Sequence, residues 1–251
     1  MVILKSPKEI EKIYISNQIV AEILSTLEPE VRPGVDTLYL NDLSERLARE
    51  RKAIPAFKGY RGFPYSICAS VNNVVVHGFP SKKPLVEGDI LSLDFGILKE
   101  GYYGDAAITV DVGKISEAAA RLSRVTKESL YKGIEKAVPD GRLSDISHAV
   151  QLHVEAAGFS VVRKFVGHGI GSKLHEEPQI PNFGESGMGV RLKAGMTFAI
   201  EPMVNEKDYD VEILEDGWTA VTKDGSLSAH FEHTIAITED GPVILSEIDR
   251  G

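Results

Sequence analysis

Apolar positions near the start of the chain recur at helical rather than strand spacing. Ile10, Ile13, Tyr14, Ile23, Leu24 and Leu27 fall near intervals of three and four, which places them on one face of a helix. Ser6-Pro7-Lys8-Glu9 supplies the start, with a capping hydroxyl, a proline at the first helical position and a glutamate that completes a capping box. A second helix carries Leu40, Leu43 and Leu47, and Val31-Arg32-Pro33-Gly34-Val35-Asp36-Thr37 separates the two. The pattern then changes to short β-branched runs such as Val74-Val75-Val76, Ile90-Leu91-Ser92-Leu93 and Ile108-Thr109-Val110.

The same plan returns in the second half. A helix is predicted over about 116–137, followed by Val138-Pro139-Asp140-Gly141-Arg142-Leu143-Ser144 and a helix carrying Ile146, Ala149, Val150 and Val154, with Gly158 as its stop. Both Pro-Gly linkers lead to a side chain able to cap the next helix. Each half then holds a His-Gly pair in β-rich sequence, Val76-His77-Gly78 and Gly167-His168-Gly169. Each places a carboxylate six residues after a glycine, Gly88 to Asp94 and Gly195 to Glu201. A second carboxylate precedes a β-branched strand, Asp105 in the first half and Glu232 in the second. The ordered set predicts an internal duplication. The expected fold is α+β, with two pseudo-symmetric helix-helix-strand halves, about 5–113 and 114–246, around a central antiparallel sheet. No linker or low-complexity tract divides them, so one domain is expected over 1–251. A pseudo-twofold axis would bring the four carboxylates and the His-Gly pairs to one cleft.

Those carboxylates carry the chemistry. A hairpin turning between Lys99 and Glu100 would set Asp94 directly across from Asp105, with Cβ atoms about 5 Å apart. Glu201 and Glu232 are related in the same way by a turn at Asp216-Gly217, a strong hairpin signal. Flanking apolar strands argue for burial, and buried carboxylates this close repel one another unless a cation lies between them. Four carboxylates and one imidazole suit two divalent ions, whose four positive charges balance the cluster. His168 is the candidate imidazole, and its glycine neighbours would let backbone approach the metal closely. His233 should point to the face opposite Glu232, and His148 and His153 lie on a predicted helix.

Composition narrows the class. Of 251 residues, 43% are hydrophobic and 26% charged, enough for a full core. The apolar runs are short and interrupted, so no membrane span is expected, and the helix start at Ser6 argues against a signal peptide. A net charge of −9 repels nucleic acid and anionic lipid. No dense Lys/Arg block marks a nucleic-acid site, and transient ribosome contact would need a local basic patch. Cys68 is the sole cysteine, which excludes an intrachain disulfide and suits the reducing cytoplasm.

The chain resembles type I methionine aminopeptidases of the pita-bread metallopeptidase fold, in their bacterial-type, catalytic-domain-only form. The similarity runs through Asn73-Val74-Val75-Val76-His77-Gly78, Leu93-Asp94-Phe95-Gly96, Gly104-Asp105-Ala106-Ala107, Val166-Gly167-His168-Gly169-Ile170-Gly171, His175-Glu176-Glu177-Pro178, Ile200-Glu201-Pro202 and Phe231-Glu232-His233-Thr234. The resemblance implies five ligands, Asp94, Asp105, His168, Glu201 and Glu232, holding two divalent ions of cobalt, manganese, iron or zinc. Asp105 and Glu232 would bridge them, and Glu201 would also accept a proton. His77 and His175 would be catalytic and substrate-binding, donating hydrogen bonds without being primary ligands. Tyr60, Phe63, Cys68, Leu174 and Trp218 would line the methionine pocket. Leu174 and His230 stand where relatives often carry an aromatic residue and Gln.

The implied reaction is hydrolytic removal of the initiator methionine from a peptide or nascent protein when the second residue is small, by water held between the ions. The expected state is a monomer. Two other readings use the same residues. A prolidase or aminopeptidase P shares the metal pattern but usually carries an N-terminal domain for which this chain has no room. A metal-free binding module on the same fold would not be expected to keep all five ligand positions.

Overall fold

The computed structural model describes residues 2–248. The first half runs through α1 (Pro7–Leu27), α2 (Thr37–Glu50), β1 (Ile54–Pro55), β2 (Cys68–Val71), β3 (Val74–Val76), β4 (Ile90–Lys99) and β5 (Tyr102–Asp111). The second runs through α3 (Glu117–Ile134), α4 (Leu143–Ala156), β6 (Ser160–Val161), β7 (Gly167–Gly169), β8 (Glu176–Ile180) and β9 (Thr197–Ile200). It continues with β10 (Met203–Asn205), β11 (Val211–Ile213), β12 (Ala220–Thr222), β13 (Ser228–His230), β14 (Glu232–Thr238) and β15 (Gly241–Ile244).

The predicted start of α1 is present and does more than cap. Ser6 N–H donates to Glu9 Oε2 at 2.8 Å, while Glu9 Oε1 accepts from the Tyr102 hydroxyl at 2.9 Å. The first turn of the helix is therefore tied to the sheet. The helix buries Val20, Ile23, Leu24 and Leu27 against Leu93, Phe95 and Ile97 of β4, each burial stabilising by about 1.5–3 kcal/mol. A matching cluster in the second half packs Leu130 and Ile134 of α3 on Phe198, Ile200, Ile235 and Ile237. The helices thus cover one face of the sheet and leave the other to the site.

Sheet order sets the strands of the two halves about one centre. The main path is β1-β4-β5-β14-β9-β7-β8, with β2 also on β4. Outward from the central β5–β14 pair, β4 corresponds to β9 and β2 to β7. The Pro-Gly linkers dock in the same way. Gly34 N–H donates to Leu85 O at 2.8 Å, and Asp140 N–H donates to Leu192 O at 3.0 Å. Gly88 N–H and Gly195 N–H reach Val112 O and Ile237 O at 3.0 and 2.9 Å.

Three expectations change. In the second linker, Asp145 reaches back to Arg142 N–H at 2.8 Å. Ser144 Oγ is engaged with Met188, so the capping carboxylate lies within the helix rather than in the linker. The two His-Gly pairs are not equivalent either. His168 lies inside β7, paired with Ala199 of β9, whereas His77 follows β3 with φ +59°. The third change is a register. The β4–β5 turn is centred on Glu100-Gly101, both with positive φ (50° and 83°), the geometry a tight two-residue hairpin prefers. Lys99 therefore faces Tyr102, and Asp94 faces Ala107 rather than Asp105. A shift of two residues preserves the face, so the two carboxylates stand diagonally on one side.

Candidate metal centre and substrate cleft

Register alone assembles the acidic row. Ala107 of β5 lies opposite Asp94 on one side and Glu232 on the other. The β9–β14 ladder pairs Ile200 with His233, and one further position sets Glu201 opposite Glu232. Asp94, Glu232 and Glu201 thus span the sheet in line, with Asp105 two residues from Ala107 on the same face. His168 pairs with Ala199, which puts its ring on that face, diagonal to Glu201. Cys68 pairs with Asp94 at the other end. Small residues at Ala107 and Ala199 leave space between the acidic side chains.

The Glu201–Glu232 relationship survives a long excursion. The pairs Ile200–His233, Met203–His230, Val211–Thr222 and Ile213–Ala220 are all mirror positions about the Asp216-Gly217 peptide. At the tip, the Asp216 carboxylate accepts from the Trp218 and Thr219 N–H groups at 2.8 Å each. This Asx turn brings Trp218 to the cleft.

Asp105 and Glu232 are each only 3% exposed. Asp94 Oδ1, Asp105 Oδ1 and Glu232 Oε1 are buried with no hydrogen-bond partner among the described residues. Such groups are rare without a ligand. Burial, then neighbouring Asp94, pushes Asp105 well above the ordinary carboxylate range. Burial pushes Asp94 up to about 7, opposed by a hydrogen bond from the Cys68 thiol. Burial and their carboxylate neighbours also raise Glu201 and Glu232 well above the usual range. His168 is held down to about 4 by burial, so it is neutral and able to ligate; its Nδ1 pairs with Gly169 O at 2.9 Å. That contact leaves Nε2 facing Glu201 Oε1 at 3.5 Å. Asp105, His168 and Glu232 each offer a ligand atom within 4.8 Å of the others. The donor set fits hard or borderline divalent cations.

Glycines here serve packing between strands. A Cβ on Gly167 or Gly169 would run into the Ala199 or Glu177 carbonyl on an adjoining strand. Gly96 faces Asp105 across the ladder. A side chain there would meet Phe57 at 2.8 Å and Asp105 Oδ1 at 3.1 Å.

Beside the acidic row opens a cleft of about 320 Å³. Its lining includes all five candidate ligands together with His77, His175, Tyr60, Phe63, Cys68, Leu174 and Trp218. Phe57, Phe63, Cys68, Ile170 and Leu174 form one apolar cluster, with Tyr60 and Trp218 packed on it. Sequence reasoning missed Phe57, Arg61, Phe165 and Gln179, which also line the cleft. Phe57 lies in the turn before Tyr60, whose N–H donates to its carbonyl at 2.9 Å, and Gln179 faces His168 in the β7–β8 ladder; neither position is distinctive without the fold. Phe165 stands edge-on to His77 at 5.3 Å.

The two further histidines differ in what they offer. His175 Nδ1 lies 2.8 Å from the Tyr60 hydroxyl. Desolvation, then His168 and Arg61, holds His175 below the usual imidazole range. His77 is lowered to about 4 by burial, and its ring stands edge-on to those of Phe165 and Trp218 at 5.3 and 6.0 Å. His233 bonds Ser246 Oγ at 2.8 Å on the other face, and His148 and His153 of α4 bond Gly184 O and Glu128 of α3.

The model of metallopeptidase family M24 matches residues 11–239. The chain belongs to this family. It is 54% identical to a methionine aminopeptidase of Clostridium perfringens over 99% of this chain and 100% of that one. A crystal structure of methionine aminopeptidase from Thermotoga maritima matches with TM-score 0.97 and 50% identity, covering 98% of this chain and 100% of that chain. The prolidase of Pyrococcus horikoshii shares the fold at 24% identity and TM-score 0.80, over 100% of this chain and 65% of that chain. The protein is thus a pita-bread metallopeptidase, a hydrolase, within the methionine aminopeptidase group. No helix of the described residues is long and apolar enough to cross a membrane.

Proposed function

We propose that this enzyme removes the initiator methionine from new or free polypeptides in the cytoplasm when the second residue is small. The observation that carries the reading is the row of unpartnered buried carboxylates beside an apolar pocket. The relatives' printed names agree with it. Asp94, Asp105, His168, Glu201 and Glu232 would hold two divalent ions. Bound there, the ions would supply positive charge that lowers the pKa of water and polarises a carbonyl.

The remaining chemistry belongs to the chain. A thioether side chain fits among Phe57, Phe63, Cys68, Leu174 and Trp218, where a charged side chain would be desolvated without a partner. If the Tyr60 hydroxyl donates to His175 Nδ1, the neutral ring is fixed as the Nε2–H tautomer. That N–H is then free to donate to the scissile carbonyl oxygen as negative charge develops. His77, which lines the same cleft, hydrogen-bonds the scissile amide and orients it. Glu201 takes a proton from the attacking water and returns it to the leaving amine.

The test is metal stoichiometry in single variants. Asp105→Asn and Glu232→Gln should each lose both ions and all measurable cleavage of a Met-Ala peptide, because each removes a charge from the middle of the row. Full two-ion loading with near-normal activity in either variant would sink the reading.

A further inference from the structure

His230 is a buried imidazole that nothing above uses. It is 1% exposed, at the end of β13, and neither ring nitrogen has a hydrogen-bond partner among the described residues. Buried side-chain nitrogens nearly always have one, so the ring has a task in the working molecule. It does not line the substrate cleft and stands outside the Asp105–His168–Glu232 group. Its near polar neighbour is Glu201, whose Oε2 is 3.9 Å from His230 Nε2. On the other side of the same carboxylate, Oε1 is 3.5 Å from His168 Nε2. Glu201 is therefore bracketed, one oxygen toward each imidazole.

Backbone contacts fix both members of the new pair. His230 N–H donates to Thr109 Oγ1 at 3.0 Å, and its carbonyl accepts from the same hydroxyl at 2.8 Å. Glu201 O accepts from Asn182 Nδ2 at 3.0 Å. The separation of 3.9 Å closes by a small side-chain shift or is spanned by one water.

We propose that His230 is a positioning residue for Glu201: its Nε2–H holds Oε2, directly or through one buried water, and so aims Oε1 at the His168 side of the centre. The inference rests on Glu201 serving the centre as described above. Donors behind a ligand carboxylate typically change metal affinity or activity by about 10–100-fold when removed. A residue that merely fills space would not distinguish a side chain with a donor from one without.

The experiment compares His230→Gln, which keeps an N–H donor, with His230→Leu and His230→Phe, which do not. Calorimetric titration of each metal-free protein with Mn²⁺ gives affinity, and Met-Ala-Ser cleavage gives kcat and KM. In the folded donorless variants, Mn²⁺ affinity and kcat should each fall about 10-fold or more, with KM within about 2-fold. His230→Gln should return both to within about 3-fold of the original protein. The assignment is overturned if the donorless variants keep both quantities, if His230→Gln loses as much as they do, or if both donorless variants simply unfold. Failure of the unaltered protein to cleave Met-Ala-Ser at full metal loading would instead refute the functional reading itself.

Discussion

The hydroxyl of Tyr60 and Nδ1 of His175 are 2.8 Å apart, and their rings stack at 5.2 Å between centroids. Tyr60 therefore holds a candidate catalytic ring as well as walling the pocket. Tyr60→Phe keeps the stacking surface and removes only the hydroxyl. The expected result is a lower kcat with little change in KM, because the ring loses the partner that selects its tautomer. Steady-state kinetics on Met-Ala peptides checks this; a rise in KM alone would assign Tyr60 to the pocket wall only.

His175→Ala should keep its metal and lose rate. His175 is not in the group formed by Asp105, His168 and Glu232, yet its ring centroid is 4.2 Å from that of His168. Losing one preorganised donor costs about 10²–10³-fold in kcat. Metal analysis beside the kinetics decides the matter, since a parallel fall in metal content would make His175 a ligand.

The metal-free chain should become less stable as pH rises above neutrality. Asp94 is raised from 3.8 to about 7, and Asp105 well above its usual range, both chiefly by burial. Between the unfolded and folded values the native state binds more protons, so stability is lost as pH rises through the folded pKa. Below about pH 7 the buried imidazoles oppose this, because unfolded histidines take up protons that His77 and His168 refuse. Above about pH 7 they are neutral in both states and the carboxylates decide. The melting temperature without metal should fall from about pH 7 to 9, and Mn²⁺ should remove most of the fall. A metal-free melting temperature that climbs over that range would contradict the burial of the acidic row.

Lys5 anchors the segment before α1. Its Nζ is 2.7 Å from Glu176 Oε2, with side-chain exposures of 3% and 5%. Glu176 also accepts from Lys173 N–H at 3.1 Å, in the loop that carries Leu174 and His175. Lys5→Ala strands a buried carboxylate, which costs about 3–5 kcal/mol. Denaturant unfolding should register that loss, whereas Lys5→Ala with Glu176→Gln should recover part of it. Equal stability of the single and double variants would show that the pair carries no coupling.

Much of the centre was legible because strands convert sequence distance into position. Gly-to-carboxylate spacing, the cap at Ser6-Pro7-Glu9 and the tip at Asp216-Gly217 each follow from local chemistry. The Glu201–Glu232 register followed from its midpoint despite four intervening strands, because every later pair keeps the same mirror. Asp94 and Asp105 were displaced by two residues, since positive φ at Glu100 and Gly101, not the midpoint, places the turn. The His-Gly likeness misled because the two histidines occupy different backbone conformations. His230 and the Tyr60–His175 contact were not legible, for both depend on side chains that meet only after the sheet has formed.

The most direct measurement is kcat/KM for peptides differing only at the first two positions, with the enzyme fully loaded with Mn²⁺. Met-Ala-Ser should be cleaved well and Met-Lys-Ser largely spared, because His168, the ions and His77 would crowd a long second side chain. Norleucine in place of methionine should be accepted, and Asp or Lys rejected, by the apolar pocket around Phe63 and Trp218. Equal cleavage of Met-Ala-Ser and Met-Lys-Ser, or preference for Pro at the second position whatever the first residue, would contradict the account.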